Sequence, residues 1–162
     1  MNGRAHGMAT KVAAPVVAVV AVATTGEWLL GVAAAIGCLA GLIIDPDLDC
    51  NSTLQLMNAS RWRMMRASWP IGYLWFFLWW PYSQLFPHRG LSHVPVLGTL
   101  TRLVYLAVIP LGILVALSFT GHNITPAALD IWMLVRPRLD LIFFAVCGLI
   151  VSDTLHWAMD GI

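Results

Sequence analysis

Charged residues are scarce in this sequence: they make up 10% of its 162 residues, whereas about 25% is usual for a soluble globular domain. The net charge is only +1, so the chain lacks the basic character that nucleic-acid binding by charge requires. The low fraction of charged residues therefore argues against an ordinary soluble domain, and the small net charge argues against nucleic-acid binding by charge.

Cysteine is also scarce, and the three cysteines, Cys38, Cys50 and Cys147, are scattered along the chain. No Cys-x-x-Cys pair is present, so they are expected to be small apolar fillers rather than disulfides or thiolate ligands. Cys50, beside Asp49, is the one candidate for a soft metal ligand. Any metal chemistry is then expected to use histidine and aspartate, which suit zinc, manganese or iron better than thiolate-selected copper or an iron–sulfur cluster.

Apolar residues, in contrast, make up 59% of the chain and form long runs, which predicts an integral membrane protein. Residues 12–25 and 28–44 are expected to form a helical hairpin, whose first helix is short for a span and begins in the polar N-terminal segment or is re-entrant. Residues 94–119 form a helix long enough to cross, and residues 141–157 a last apolar helix. The predicted fold is all-α: a small multi-pass transmembrane helical bundle, with residues 1–162 as a single domain.

Two further segments are expected at the membrane surface. Residues 53–68 mix Leu, Met and Trp with Arg61, Arg63 and Arg66, which is typical of an amphipathic helix lying on anionic lipid, with a nucleic-acid patch as the alternative. Residues 71–82 are dense in Trp, Tyr and Phe but too short to span, so they are predicted to be interfacial or re-entrant. Membrane lipids are therefore expected partners.

The most unusual polar stretch is Pro-His-Arg-Gly-Leu-Ser-His at residues 87–93. Two neutral imidazoles, His88 and His93, can bind one metal ion or two adjacent ones, and paired histidines at a lipid interface are the alternative. Arg89 between them can hold a phosphate through paired hydrogen bonds or anchor the chain to lipid headgroups. Ser92 is expected to be the N-cap of the helix that follows.

Two further groups of carboxylate-bearing residues are candidate metal ligands. The first lies in Pro-Asp-Leu-Asp after the second apolar helix, and the second forms an Asp-x-x-His-x-x-x-Asp row near the end of the last helix. The members are Asp47 and Asp49 in the first set, and Asp153, His156 and Asp160 in the second. The row has spacing i, i+3, i+7, so its members share one helix face, where they are costly unless paired or metal-bound. For Asp153 the alternative is an ion pair with Arg102.

The order of the segments predicts that these polar residues meet at one membrane face. With a cytoplasmic N-terminus, the hairpin returns the chain to that side, and residues 50–93 stay there with most of the arginines, as the positive-inside tendency prefers. The helix of residues 94–119 is then expected to cross to the opposite side of the membrane, and the helix of residues 141–157 to cross back. A metal site would thus lie at the cytoplasmic face of the inner (plasma) membrane, and the convergence also holds in the inverted orientation. The candidate ligands are His6, Asp47, Asp49, His88, His93, Asp153, His156 and Asp160.

Eight candidate ligands are too many for one tetrahedral ion and suit two or three divalent ions with bridging carboxylates, zinc being expected first. Multi-metal sites of this type usually activate water and hold phosphoryl oxygens during hydrolysis. Arg89 and Asp49 are the candidate catalytic residues. The predicted activity is a metal-dependent, phosphoesterase-like hydrolysis of a lipid-linked or headgroup phosphate.

The same residues also carry a resemblance to known proteins. His6, the Pro-Asp-Leu-Asp of 46–49, the Pro-His-Arg-Gly-Leu-Ser-His of 87–93 and the Ser-Asp-x-x-His-x-x-x-Asp of 152–160 resemble a family of small multi-pass bacterial membrane proteins described as metal-binding. That family is similar to the inner-membrane metal-dependent hydrolases and, distantly, to the zinc phospholipase C and single-strand nuclease superfamily. The resemblance implies a metal centre built from these residues, and a hydrolase by kinship.

Two other functions remain open. A coordinatively closed metal site could staple the helices of a non-catalytic protein, acting as an accessory or assembly subunit of a larger membrane complex or as a homo-oligomer. A metal transporter is disfavoured, because the ligands cluster at one face and Arg102 is the ionisable residue deep in the long helix.

Overall fold

The computed structural model describes residues 3–44, 46–49, 69–86, 90–121, 123 and 125–161. These residues form helices and turns and contain no strand, so the predicted all-α class is confirmed for the described part of the chain. The helices are α1 (Gly3–Thr25), α2 (Trp28–Ala40), α3 (Trp69–Leu85), α4 (Leu97–Phe119), α5 (Thr125–Val135) and α6 (Leu139–Asp160). Three short 3-10 helices cover Pro46–Asp49, Leu91–His93 and Arg136–Arg138.

Most helix ends lie close to their predicted positions. α1 begins at Gly3, inside the polar N-terminal segment, and ends at Thr25. α2 ends at Ala40, earlier than predicted, because the chain tightens into 3-10-type hydrogen bonds, such as Leu42 N–H to the Leu39 carbonyl (2.9 Å). The predicted amphipathic helix over 53–68, with its three arginines, lies outside the described residues.

One prediction, for the segment before α4, is corrected. Ser92 lies inside the 3-10 helix Leu91–His93 and does not cap α4, which begins at Leu97 after an N-cap at Val96 that makes no side-chain cap hydrogen bond. Farther along the chain, α5 lies between α4 and the last apolar helix, and α6 begins at Leu139. The aromatic segment predicted over 71–82 lies within α3, where Pro70 occupies the first turn and its missing N–H breaks no hydrogen bond.

α1, α2 and α6 pack together through small residues, and we call these three helices the small-residue bundle. The backbones of α2 and α6 touch: a Cβ on Gly37 would lie 1.8 Å from the carbonyl oxygen of Ala145, and one on Gly148 would lie 2.0 Å from that of Ala34. Such contacts need small side chains on both helices. They fix the rotation of α6, and therefore where its polar row points.

α3 and α4 are joined by large side chains, which we call the aromatic layer: Trp79, Tyr82 and Tyr105. Trp79 and Tyr82 are fully buried. The Tyr82 hydroxyl lies 2.9 Å from the Thr101 hydroxyl, and the Tyr105 hydroxyl donates to the Leu78 carbonyl. Each phenol thus places an apolar ring in the core and satisfies its polar end.

Within the described residues, two helical segments are long and apolar enough to cross a membrane, Ala5–Thr25 and Leu97–Phe119. Many of their apolar side chains are exposed, including Val12, Val19 and Leu111. α2 is apolar but shorter. Two candidate spans are therefore present, and the predicted multi-pass arrangement stays a prediction.

Candidate metal centre

Five of the eight predicted ligands meet at one end of the small-residue bundle. The first turn of α1 and the last turns of α6 supply one part of the cluster, and the two 3-10 helices Pro46–Asp49 and Leu91–His93 supply the other. The five residues are His6, Asp47, His93, His156 and Asp160. They come from four separate segments, so the cluster exists only in the folded chain.

The tighter part of the cluster lies between α1 and α6. His6 Nε2 lies 3.1 Å from Asp160 Oδ1, and His156 Nε2 lies 3.3 Å from Asp160 Oδ2. The imidazoles of His6 and His156 stack with ring centroids 4.2 Å apart. Asp160 therefore faces two imidazole nitrogens with its two oxygens.

The wider part of the cluster brings in the two 3-10 helices. Asp47 Oδ1 lies 3.5 Å from His156 Nε2 and 3.8 Å from His93 Nε2. The position of His93 depends on the start of α4, because a Cβ on Gly98 would lie 1.9 Å from the Ser92 carbonyl oxygen. His156 is thus common to both parts.

Burial and charge also favour a cation. His6, His93 and His156 are buried, whereas the Asp47 side chain is 33% exposed. Burial disfavours the Asp47 carboxylate, but the neighbouring imidazoles of His156 and His93 outweigh it, and the pKa of Asp47 lies well below its ordinary value. The site therefore contains an ionised carboxylate at neutral pH and has one side open to solvent.

The orientation of His156 fits a bound metal ion. Within the described residues its Nε2 atom is buried and has no hydrogen-bond partner, although two carboxylate oxygens lie within 3.5 Å. A buried polar nitrogen normally has a partner, and a neutral imidazole nitrogen without a proton offers one lone pair to a metal. Donors bound to one tetrahedral zinc ion at about 2.0–2.2 Å lie about 3.4 Å apart, close to the spacing found here.

Asp153 lies outside this cluster, although it shares a helix with His156. Its Oδ2 atom accepts hydrogen bonds from Arg102 and from the hydroxyl of Thr99, both on α4. All three side chains are buried. The structure thus gives Asp153 the ion pair that was the alternative to metal binding. Thr99 was not anticipated, and its only signal is that it lies three residues before Arg102, on the same face of α4.

The remaining predicted site residues lie outside the described part of the structure. His88 and Arg89 fall between residues 86 and 90, and for Asp49 only the backbone, in the 3-10 helix Pro46–Asp49, is described. Their metal-binding and catalytic roles stay predictions. Cys38 is a buried free thiol near the Thr10 carbonyl (3.7 Å), Cys147 is also free, and Cys50 lies outside the described residues.

The fold and the site define a class: a helical protein with a cluster of histidines and aspartates suited to a metal ion. The chain belongs to a family of uncharacterized metal-binding proteins, DUF2227, which it matches over residues 1–162. It is similar to an uncharacterized protein of Aquifex aeolicus (strain VF5), with 33% identity over 135 residues that cover 77% of this chain and 85% of the relative. No solved structure matches the chain significantly.

Proposed function

We propose that the protein binds a divalent transition-metal ion between its two groups of ligands. The ion would be held by His6, Asp47, His93, His156 and Asp160. The observation that carries this proposal is the buried Nε2 of His156, which has no hydrogen-bond partner among the described residues and faces one carboxylate oxygen from each group. Because this nitrogen has one lone pair, it binds one ion, and both carboxylates are within reach of that ion.

The donor set narrows the choice of metal. Three imidazoles and two carboxylates suit zinc, manganese or iron. Zinc is the first expectation and would use four of the donors, whereas manganese and iron would accept all five. A second ion, as the sequence predicts, would need donors beyond this cluster, and Asp49 and His88 are the candidates.

Metal content tests this proposal directly. The full chain is purified in mild detergent without chelators, and bound metals are counted by mass spectrometry. Wild type is expected to retain at least one ion per chain, and His156→Ala to retain none. Thr154→Ala is the matched control, because Thr154 is exposed on the same helix and its hydroxyl donates to the Ile150 carbonyl of that helix. A metal-free wild type after incubation with zinc, manganese and iron would contradict the proposal.

We further propose that α1 and α4 cross the inner membrane, with the metal site at its cytoplasmic face. The length and composition of both helices and their exposed apolar side chains support this placement. Membrane fractions washed with alkaline carbonate should then keep the protein in the pellet. Release into the supernatant would contradict the proposal without affecting the metal site.

A second candidate function is metal-dependent hydrolysis of a lipid-linked phosphate. It is favoured by the exposed side of Asp47, which leaves the site accessible to water and substrate. A bound divalent ion would supply Lewis acidity there, and Arg89 is the predicted phosphate-binding residue. Metal-loaded protein is expected to release phosphate or headgroup from mixed lipid-phosphate vesicles, and Arg89→Lys to do so more slowly. Turnover equal to that of His156→Ala would favour the non-catalytic accessory or assembly subunit.

A further inference from the structure

The α4–α6 contact centres on a buried ion pair. α6 packs extensively on α2 but meets α4 over only a short stretch. At that contact, Arg102 and Thr99 of α4 both bond the carboxylate of Asp153 on α6. Arg102 and Thr99 have no exposed surface, and Asp153 is only 3% exposed.

Through short stretches of chain, this pair is connected to a histidine on each of the two elements that meet at the candidate metal centre. Asp153 precedes His156 by three residues on one face of α6, less than one helical turn. Thr99 follows His93 by six residues, and the intervening chain is held tightly where Gly98 touches the Ser92 backbone. The distance between His93 and His156 therefore depends on how α4 sits against α6 at the pair.

Stability alone is a weak explanation for these charges. A buried ion pair repays its desolvation only when its remaining donors and acceptors are also satisfied. In the described chain, Arg102 Nε, Arg102 Nη1 and Asp153 Oδ1 are buried without hydrogen-bond partners. An apolar pair of similar volume would be expected to hold the helices at least as well. Compared with an apolar pair, the ion pair of Arg102 and Asp153 adds a defined geometry at one point of contact between α4 and α6.

We propose that Arg102, Asp153 and Thr99 are positioning residues for the metal centre, which set His93 at the distance from His156 at which both bind the same ion. This inference rests on the proposed metal-binding function. It makes Asp153 a residue that acts through Arg102 and α4 rather than a metal ligand.

Cobalt binding provides the test, because the visible absorption bands of Co²⁺ report the number and arrangement of its ligands. Wild type, Thr99→Val, Arg102→Met, Asp153→Asn and the double variant Arg102→Met/Asp153→Asn are titrated with Co²⁺ in detergent. Substitution of a residue that supports the metal ligands without binding the ion typically lowers metal affinity by about 10–100-fold. Thr99→Val is expected to weaken binding about tenfold, and each charge variant by more, with altered bands in all of them.

Thr101→Val is the matched control, because Thr101 is on the same helix but its hydroxyl donates to the Gly98 carbonyl of that helix and pairs with the Tyr82 hydroxyl rather than with α6. It should leave the Co²⁺ affinity and bands unchanged. The double variant has no unpaired buried charge and should keep the helical circular dichroism of wild type. It should nevertheless fail to recover the wild-type bands, whereas a purely stabilising pair predicts recovery.

The outcomes separate this inference from the proposed function. If wild type binds Co²⁺ and the four variants bind it with the same affinity and bands, the positioning role is overturned and the metal site stands. Altered bands in Asp153→Asn with unchanged bands in Arg102→Met would make Asp153 a ligand and also overturn the inference. A wild type that binds no Co²⁺ would overturn the metal centre itself, and the positioning role with it.

Discussion

The small-residue bundle and the aromatic layer hold their helices together in opposite ways. In the bundle, glycines bring backbones into contact, as Gly148 does against Ala34. In the aromatic layer, the buried rings of Trp79 and Tyr82 fill the space between α3 and α4. Close backbone packing leaves little freedom to the helices that meet, whereas packing through long side chains depends on many rotamers at once.

The candidate metal centre lies across the boundary between these two regions. Its imidazole–carboxylate distances are shorter on the side of the small-residue bundle. On the bundle side, both imidazole–carboxylate distances involving Asp160 are at most 3.3 Å. On the other side, those involving Asp47 are 3.5 and 3.8 Å. The bundle therefore presents a nearly preformed half-site, and the 3-10 helices complete it.

The largest effect is expected in the aromatic layer. Trp79→Ala removes a fully buried ring and should lower the free energy of unfolding by about 3–5 kcal/mol. The neighbouring Trp80 is 46% exposed, so Trp80→Ala is the matched control and should cost much less. Denaturant unfolding in mild detergent measures both. Equal losses in the two variants would show that α3 does not depend on this packing.

A smaller effect is expected in the small-residue bundle. Gly148→Ala adds a methyl group that would meet the Ala34 carbonyl oxygen at 2.0 Å, so α2 and α6 must separate, at a cost of about 1–3 kcal/mol. Gly112→Ala is the control, since no atom of the described residues lies within 4 Å of its added Cβ and alanine favours helix by up to about 1 kcal/mol. The same unfolding assay applies. If both substitutions stabilise the protein, the close contact between α2 and α6 is contradicted.

The two halves of the metal centre can be compared by removing one histidine from each. His6→Ala deletes a donor from the tighter half and His93→Ala one from the wider half. Because the tighter half is better preorganised, His6→Ala should weaken Zn²⁺ or Co²⁺ binding more, by roughly tenfold or about 1.4 kcal/mol relative to His93→Ala. Competition titration with a chromogenic chelator measures the ratio, and a larger loss in His93→Ala would reverse the comparison.

The sequence predicted that polar residues from distant segments meet at one place better than it predicted which of them belong to the metal cluster. Alternation of apolar helices was enough to bring His6, Asp47 and His93 toward the end of the last helix, because each helix reverses the direction of the chain. Helical spacing also placed Asp153, His156 and Asp160 on one face. Spacing could not reveal which of the three faces α4, because that depends on the rotation fixed by the glycines of α2 and α6.

Helix ends were least predictable where packing or backbone geometry overrides local preference. The hydrophobic run suggests a helix from Val94, with Ser92 as its cap, yet α4 begins at Leu97. Pro95, Val96 and Leu97 form a three-residue turn closed by a hydrogen bond from Leu97 N–H to the Pro95 carbonyl (2.9 Å). Nothing in a Val-Pro-Val sequence indicates such a turn, because its central residue must adopt a positive φ that valine disfavours.

This turn gives the smallest predicted effect. Val96 has φ 69° and ψ −57°, the strained form of the three-residue turn, two residues before Gly98 presses against the segment that carries His93. Val96→Gly should relieve strain of about 1–3 kcal/mol, offset in part by the greater flexibility of unfolded glycine, about 0.5–1 kcal/mol. A net gain of about 1 kcal/mol in unfolding free energy is expected.

Val94→Gly is the matched control for this gain. Val94 has an ordinary extended backbone, with φ −73° and ψ 121°, so glycine relieves nothing there and should cost about 0.5–1 kcal/mol. If the strained turn also fixes His93, Val96→Gly should lose a few-fold in metal affinity while gaining stability, since a relaxed turn holds the imidazole less firmly. Equal destabilisation by both substitutions would mean that the turn at Val96 stores no strain, and that His93 is positioned by the contact with α4 alone.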